Sequence, residues 1–147
     1  MQDFVFRQAL RSFTPRRSWN VIKSISSFLT SIALRRPIMW GIPPVITVEP
    51  TNYCNLKCPL CVTGNGSMER AGGRMSFDTF RRLIDDIGDE MWYVILYHQG
   101  EPYLNKAFLQ CVEYAKSKGL YTETSTNGHY LNRENAELTV KSGLDAM

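Results

Sequence analysis

Cys54, Cys58 and Cys61 fall within one eight-residue stretch, Cys54-Asn-Leu-Lys-Cys58-Pro-Leu-Cys61, just past a short β-branched run. The spacing C-x3-C-x2-C offers three thiolates to one centre and leaves a fourth coordination position without a local donor. Thiolates are soft, anionic donors that suit iron–sulfide clusters. A cube held by three cysteines keeps one iron open to a substrate or cofactor, whereas a four-cysteine site would be structural or carry electrons only. Pro59 and its neighbours break regular structure, so one loop can present all three sulfurs. Zinc is the alternative, but it favours C-x2-C pairs with a fourth ligand. His98, His129 or Cys111 would have to supply that ligand, and none of them lies in the loop.

Sulfurs in a loop need a scaffold to aim them. With 147 residues, 44% hydrophobic and 21% charged, the chain has the size and composition of one soluble domain with a real core. Three of its four cysteines are clustered, which fits a reducing cytoplasm better than a secreted disulfide framework. The net charge of +3 is unevenly placed. Residues 1–40 carry seven basic side chains against Asp3 alone, while residues 41–147 carry 10 basic and 13 acidic ones.

The basic stretch is therefore a separate leader, residues 1–40. Val21, Ile22, Ile25, Phe28, Leu29 and Ile32 recur at helical spacing with Lys23, Ser24, Ser27 and Ser31 between them. Serine and threonine interrupt it too often for it to span a bilayer, and it lacks a secretory cleavage site. Basic amphipathic helices of this kind either pack on the outside of the following domain or lie on an anionic membrane surface. No aromatic residues interleave the arginines in a nucleic-acid-binding pattern, so no specific nucleic-acid partner is expected.

Pro37, Gly41, Pro43 and Pro44 mark the boundary, and the core runs over residues 44–147. Val45–Val48 reads as a buried strand, followed by the cysteine loop and the polar stretch Thr63–Gly73. Ser76 is placed to cap a helix whose apolar face is Phe77, Phe80, Leu83, Ile84 and Ile87. A strand at Met91–Tyr97, a helix at Lys106–Lys118 ended by Gly119, a strand at Leu120–Ser125 and a helix at Asn132–Lys141 complete the pattern. Leu144–Met147 reads as the approach to a fourth strand. Alternating strands and helices imply an α/β fold with a parallel sheet, whose ligands bind at the carboxyl ends of the strands. The cysteine loop, Gln99-Gly100-Glu101-Pro102 and Thr126-Asn127-Gly128 all occupy those ends.

The cysteine motif after Glu49-Pro50-Thr51-Asn52-Tyr53, together with Gln99-Gly100-Glu101-Pro102, resembles the radical SAM enzymes over residues 44–147. Gln99 stands where that family's Gly-Gly-Glu-Pro element has its first glycine. The leader, Trp40-Gly41 and Ser125-Thr126-Asn127-Gly128 resemble members with a further SPASM-type domain. The resemblance implies the N-terminal half of a partial (β/α)6 TIM-like barrel, about three β/α units preceded by basic amphipathic helices. It also implies a fragment of a longer reading frame, truncated before the fourth strand.

By the same resemblance, Cys54, Cys58 and Cys61 hold a [4Fe–4S] cluster whose fourth iron is chelated by S-adenosylmethionine. Reductive cleavage of the sulfonium then gives a 5′-deoxyadenosyl radical that abstracts hydrogen from a substrate. Leu60 would lie beside the adenine, and Glu101 would pair with the cofactor's ammonium group by a charge-assisted bond. Gly100 would allow close backbone approach and Pro102 would stiffen the exit from the strand. Thr126 and Asn127 would reach the methionine moiety or substrate, although an Asn-Gly turn without a ligand explains them equally well. His98 reads as structural, the pair Trp92-Tyr93 as core, Cys111 as a buried free thiol, and His129 as a solvated loop residue. An electron donor such as flavodoxin or ferredoxin is implied, with a substrate drawn from peptides, sugars, lipid precursors or RNA. A non-catalytic zinc- or cluster-binding module is the rival function. The location implied is cytoplasmic, or peripheral to the inner face of a membrane if the leader binds there.

Overall fold

The computed structural model describes residues 12–147, so Asp3, Arg7 and Arg11 of the leader lie outside the described residues. Three short strands, β1 (Val45–Thr47), β2 (Tyr93–Ile95) and β3 (Tyr121–Glu123), form a parallel sheet in the order β1-β2-β3. Val45, Ile46 and Thr47 pair with Tyr93, Val94 and Ile95, which pair in turn with Tyr121, Thr122 and Glu123. Each ladder is shorter than the β-rich run that encodes it. Ala146 bridges in parallel to Glu123, so the segment expected to approach a fourth strand already pairs with the edge of β3.

Helices α2 (Phe77–Ile87), α3 (Phe108–Ser117) and α4 (Arg133–Ser142) follow the three strands. Ser76 caps α2 by accepting a hydrogen bond from the Thr79 N–H at 3.1 Å, and Asn132 caps α4 in the same way from Asn135 at 2.8 Å. The core lies between sheet and helices. Phe80 and Ile84 of α2 meet Val94 and Leu96 around β2 and Phe108, Val112 and Ala115 of α3, all buried. The opposite sheet face is mixed, with Val45 beside Tyr93 and Thr47 beside Ile95, and with Tyr93 packed edge-on to Tyr121 at 5.0 Å and donating its hydroxyl to Glu123. Tyr93 is therefore half-buried on this second face and not part of the helix-side core. Val45 and Thr47 are exposed, so β1 is an edge strand and not the buried strand expected.

Helix α1 (Pro15–Leu34) belongs to the leader and docks against the amino-terminal ends of the strands. Its contact side is polar. Arg17, only 4% exposed, donates to the carbonyls of Ser12, Gly119, Gly88 and Lys118 at 2.7–3.1 Å. Asn20 donates to the carbonyls of Ile42 and Glu90 and accepts from the Ile42 N–H. Ser24 also donates to the Ile42 carbonyl, and Lys23 pairs with Glu90 at 3.5 Å. These bonds satisfy loop carbonyls that precede each strand, which a hydrocarbon face could not do. Packing on the domain is thus confirmed, but through the side opposite the apolar stripe. No helix among the described residues is long and apolar enough to cross a membrane.

Candidate functional site

The rim at the carboxyl ends of the strands is built from three loops tied to one another. The cysteine loop is closed at its base by an antiparallel bridge between Thr51 and Arg74. Buried Asn52 strengthens that closure by donating to the Ala71 carbonyl at 2.9 Å and accepting from the Gly73 N–H at 2.7 Å. Thr51 donates its hydroxyl to the Gly73 carbonyl, and Asn105 donates to the carbonyls of Pro50 and Met75. A twenty-residue excursion is thereby held at its neck by side-chain to main-chain bonds, leaving its tip irregular.

Gly100 joins the second loop to the first. It adopts φ +78°, and a Cβ there would stand 2.4 Å from the Thr51 carbonyl oxygen and 2.7 Å from that of Tyr53. The backbone passes so close that the next residue, Glu101, donates its N–H to Tyr53 at 2.8 Å. Glu101 itself is 1% exposed. One carboxylate oxygen accepts from the Thr126 hydroxyl at 2.7 Å and the Tyr103 N–H at 3.3 Å, and the other from the Asn127 N–H at 2.8 Å. It is no solvated turn residue: the carboxylate clamps the third loop to the second. Pro102 is buried and opens the short 3-10 turn Pro102–Leu104 that lies over this clamp.

Asn127 extends the tie to the cysteines, donating to the Asn55 side chain at 2.9 Å and approaching the Cys54 sulfur at 3.9 Å. Thr126 and Asn127 are thus both bonded to Glu101, and Asn127 also to the cysteine loop. Leu60 is fully exposed at the loop tip, with 100% of its surface open, so it packs against none of the described residues. His98 is also exposed, on the wall of a cavity shared with Thr47, Glu49 and Arg70, and His129 is exposed as expected.

Gln99 is the residue that sequence reasoning treated as a mere replacement. Its side-chain oxygen accepts from the Thr63 hydroxyl at 3.0 Å and the Cys61 thiol at 3.7 Å, while its N–H donates to Glu49 at 3.1 Å. A longer polar side chain at the head of Gln99-Gly100-Glu101-Pro102 was the available signal for that contact.

All four cysteines are free. Cys58 is exposed and Cys54 and Cys61 are half-exposed, while Cys111 is buried in α3. The N–H groups of Gly64 and then Thr63 hold the Cys61 thiol below its ordinary pKa, a bias toward the thiolate that binds metal. Burial pushes Cys111 up to about 12. At pH 8 only about one Cys111 in 10⁴ would then be thiolate, so it should not alkylate in the folded chain. Iodoacetamide should accordingly label three cysteines in native protein and four after denaturation, by intact mass; rapid native labelling of Cys111 would contradict its placement.

Three free, accessible thiols on one irregular loop are a donor set that fits an iron–sulfur cube. Among the described residues, no three His, Cys, Asp or Glu side chains are placed to hold a single metal ion. Zinc needs its donors converging on one point, whereas each thiolate of a cube binds a different iron.

Residues 48–147 match the radical SAM superfamily. The chain belongs to that family. Radical SAM relatives include the PqqA peptide cyclase of Rhodopseudomonas palustris, 30% identical over 71% of this chain and 28% of the relative. The Fe-coproporphyrin III synthase of Methanosarcina barkeri is 35% identical over 69% of this chain and 25% of its own length. The chain thus spans about a quarter of the length of these curated relatives. A crystal structure of BtrN in complex with AdoMet and 2-DOIA superposes with a TM-score of 0.61 at 21% identity, covering 72% of this chain and 44% of that one. That likeness supports the α/β fold expected here. Radical SAM proteins normally use a [4Fe–4S] cluster and S-adenosylmethionine, and the relatives named above are enzymes.

Proposed function

We propose that this chain binds a [4Fe–4S] cluster through Cys54, Cys58 and Cys61 and takes S-adenosylmethionine at the open iron, as the radical-generating part of a radical SAM enzyme. The observation that carries the proposal is the three-loop rim, which ties the loop bearing all three thiols to Gly100-Glu101 and Thr126-Asn127. Held by Cys54, Cys58 and Cys61, such a cluster would supply the one electron needed for reductive cleavage of the cofactor's sulfonium.

The chain's own part is positional. Gly100 keeps the second loop against the neck of the cysteine loop. Glu101 holds the Thr126-Asn127 turn so that the Asn127 amide stays beside Cys54. Gln99 steadies Cys61 and Thr63 from the β2 side. Leu60 projects from the loop tip, where an apolar side chain can cover an adenine face and exclude water.

A flavodoxin or ferredoxin is the donor class that fits a one-electron requirement, and the free thiols favour a cytoplasmic setting. For substrate, the likeness to PqqA peptide cyclases of two organisms favours a peptide. Similarity to the Fe-coproporphyrin III synthase makes a tetrapyrrole the second reading. Anaerobic reconstitution with iron and sulfide should give brown protein with broad absorbance near ~400 nm and about four irons and four sulfides per chain. Colourless protein that takes up zinc in preference would overturn the proposal.

A further inference from the structure

Helix α1 is amphipathic in the reverse sense of an ordinary surface helix. Its polar side, through Arg17, Asn20 and Ser24, is spent on main-chain carbonyls of the domain. Ile22, Ile25, Phe28, Leu29 and Ile32 consequently point away from the domain, each between 53% and 64% exposed. Rolling the helix to bury them would strand the carbonyls of Gly88, Lys118, Gly119, Glu90 and Ile42 without their donors. A contiguous apolar stripe of this length on a folded surface marks a contact that the domain does not itself satisfy.

The chemistry around the stripe selects the contact. Residues 4–40 contain no acidic side chain at all. Arg35 and Arg36 stand exposed just past the helix, and among the described residues neither has a carboxylate partner. Trp19 and Trp40, 61% and 53% exposed, flank the stripe, and Met39 is 81% exposed beside Trp40. Apolar residues along one face, tryptophans at its margins and unpaired arginines at its end are what an anionic lipid interface receives.

From this arrangement we propose that the outward face of α1 is a peripheral docking surface for an anionic lipid bilayer. Its direction follows from the fold. Because α1 covers the amino-terminal ends of the strands, the cysteine rim at the carboxyl ends faces away from the bilayer. The surface tethers the protein while leaving its site open to water, so the substrate is delivered from the aqueous side. The proposal does not depend on the cluster, since every contact it uses is present in the iron-free chain.

The test is flotation of the full 147-residue chain with vesicles of phosphatidylcholine alone and of phosphatidylcholine mixed with phosphatidylglycerol. The wild-type chain should float with the anionic vesicles, shift its tryptophan emission to the blue and dissociate as salt is raised. The double variant Ile25→Asp with Leu29→Asp, at exposed positions, should bind at least about tenfold more weakly with an unchanged circular dichroism spectrum. Arg35→Gln with Arg36→Gln, which leaves the stripe intact, should weaken binding by about fivefold per arginine at low salt. No flotation with either vesicle, equal binding to both, or binding that neither variant weakens would overturn the proposal. So would a dimer that the aspartate variant dissociates without vesicle binding by the wild type, because the face would then be an interface between copies of this chain.

Discussion

Alanine at any one of Cys54, Cys58 or Cys61 is expected to abolish retention of iron and sulfide after anaerobic reconstitution and desalting. Three protein ligands are the minimum that fixes a cube in place while leaving one iron free, so two cannot substitute for three. The rim offers no replacement donor, because His98 and His129 are exposed and Glu101 is committed to Thr126, Asn127 and Tyr103. Retained iron should fall from about four per chain to background in each variant. None of the three replaced side chains is buried, so folding should be little affected. Cys111→Ala serves as the control: it removes a buried sulfur from α3, costs about 1–2 kcal/mol of packing, and should keep the full complement of iron. Metal analysis beside thermal unfolding separates the two effects. Full iron retention in any of the three loop variants would remove that cysteine from the ligand set.

Gly100→Ala should be the most damaging single-methyl substitution in the rim. Its φ of +78° strains any residue with a Cβ. The added carbon would also meet the Thr51 carbonyl oxygen at 2.4 Å, the Tyr53 oxygen at 2.7 Å and the Asn52 carbonyl carbon at 2.9 Å. All three are main-chain atoms of the neck that closes the cysteine loop, so no flexible side chain can swing aside. The second loop must retreat, and the Glu101 N–H loses the Tyr53 carbonyl as it does so. Strain and displacement together should cost about 3–5 kcal/mol, read as a lower urea midpoint at unchanged slope. Cluster retention should fall with it. Gly73→Ala, in the same neck but with nothing within 4 Å of the new carbon, should change stability by less than about 1 kcal/mol. Equal effects at the two positions would show that close approach at Gly100 is not what holds the rim together.

What could be read from the residues was whatever repeats or whatever is chemically singular. The β/α rhythm, the Ser76 cap and the faces of α2 and α3 follow from periodicity and from caps that act within four residues, and the fold carries them. The cysteine trio announced itself by spacing, and Glu101 by its place in a recognisable tetrapeptide. The neck of the cysteine loop was not legible, because Asn52 and Asn105 act on main-chain groups about 20 to 55 residues away and leave no period in the sequence. A polar residue just beyond a strand was the one available hint. The leader misleads for a different reason. Helical spacing identifies an apolar stripe but does not say which way it turns, and the usual inward orientation is overridden here by the carbonyls that Arg17 and Asn20 satisfy. Gln99 likewise looked like a loss of glycine, whereas its side chain reaches Thr63 and Cys61.

The most direct measurement is the electron paramagnetic resonance spectrum of the reduced, reconstituted chain with and without S-adenosylmethionine. If three cysteines hold a cube whose remaining iron is open, the cofactor's amino and carboxylate groups will change that iron's coordination, and the g values and line shape will shift on addition. A cluster signal that stays the same at saturating S-adenosylmethionine would mean that the fourth iron is closed to it, and the proposed chemistry would be wrong.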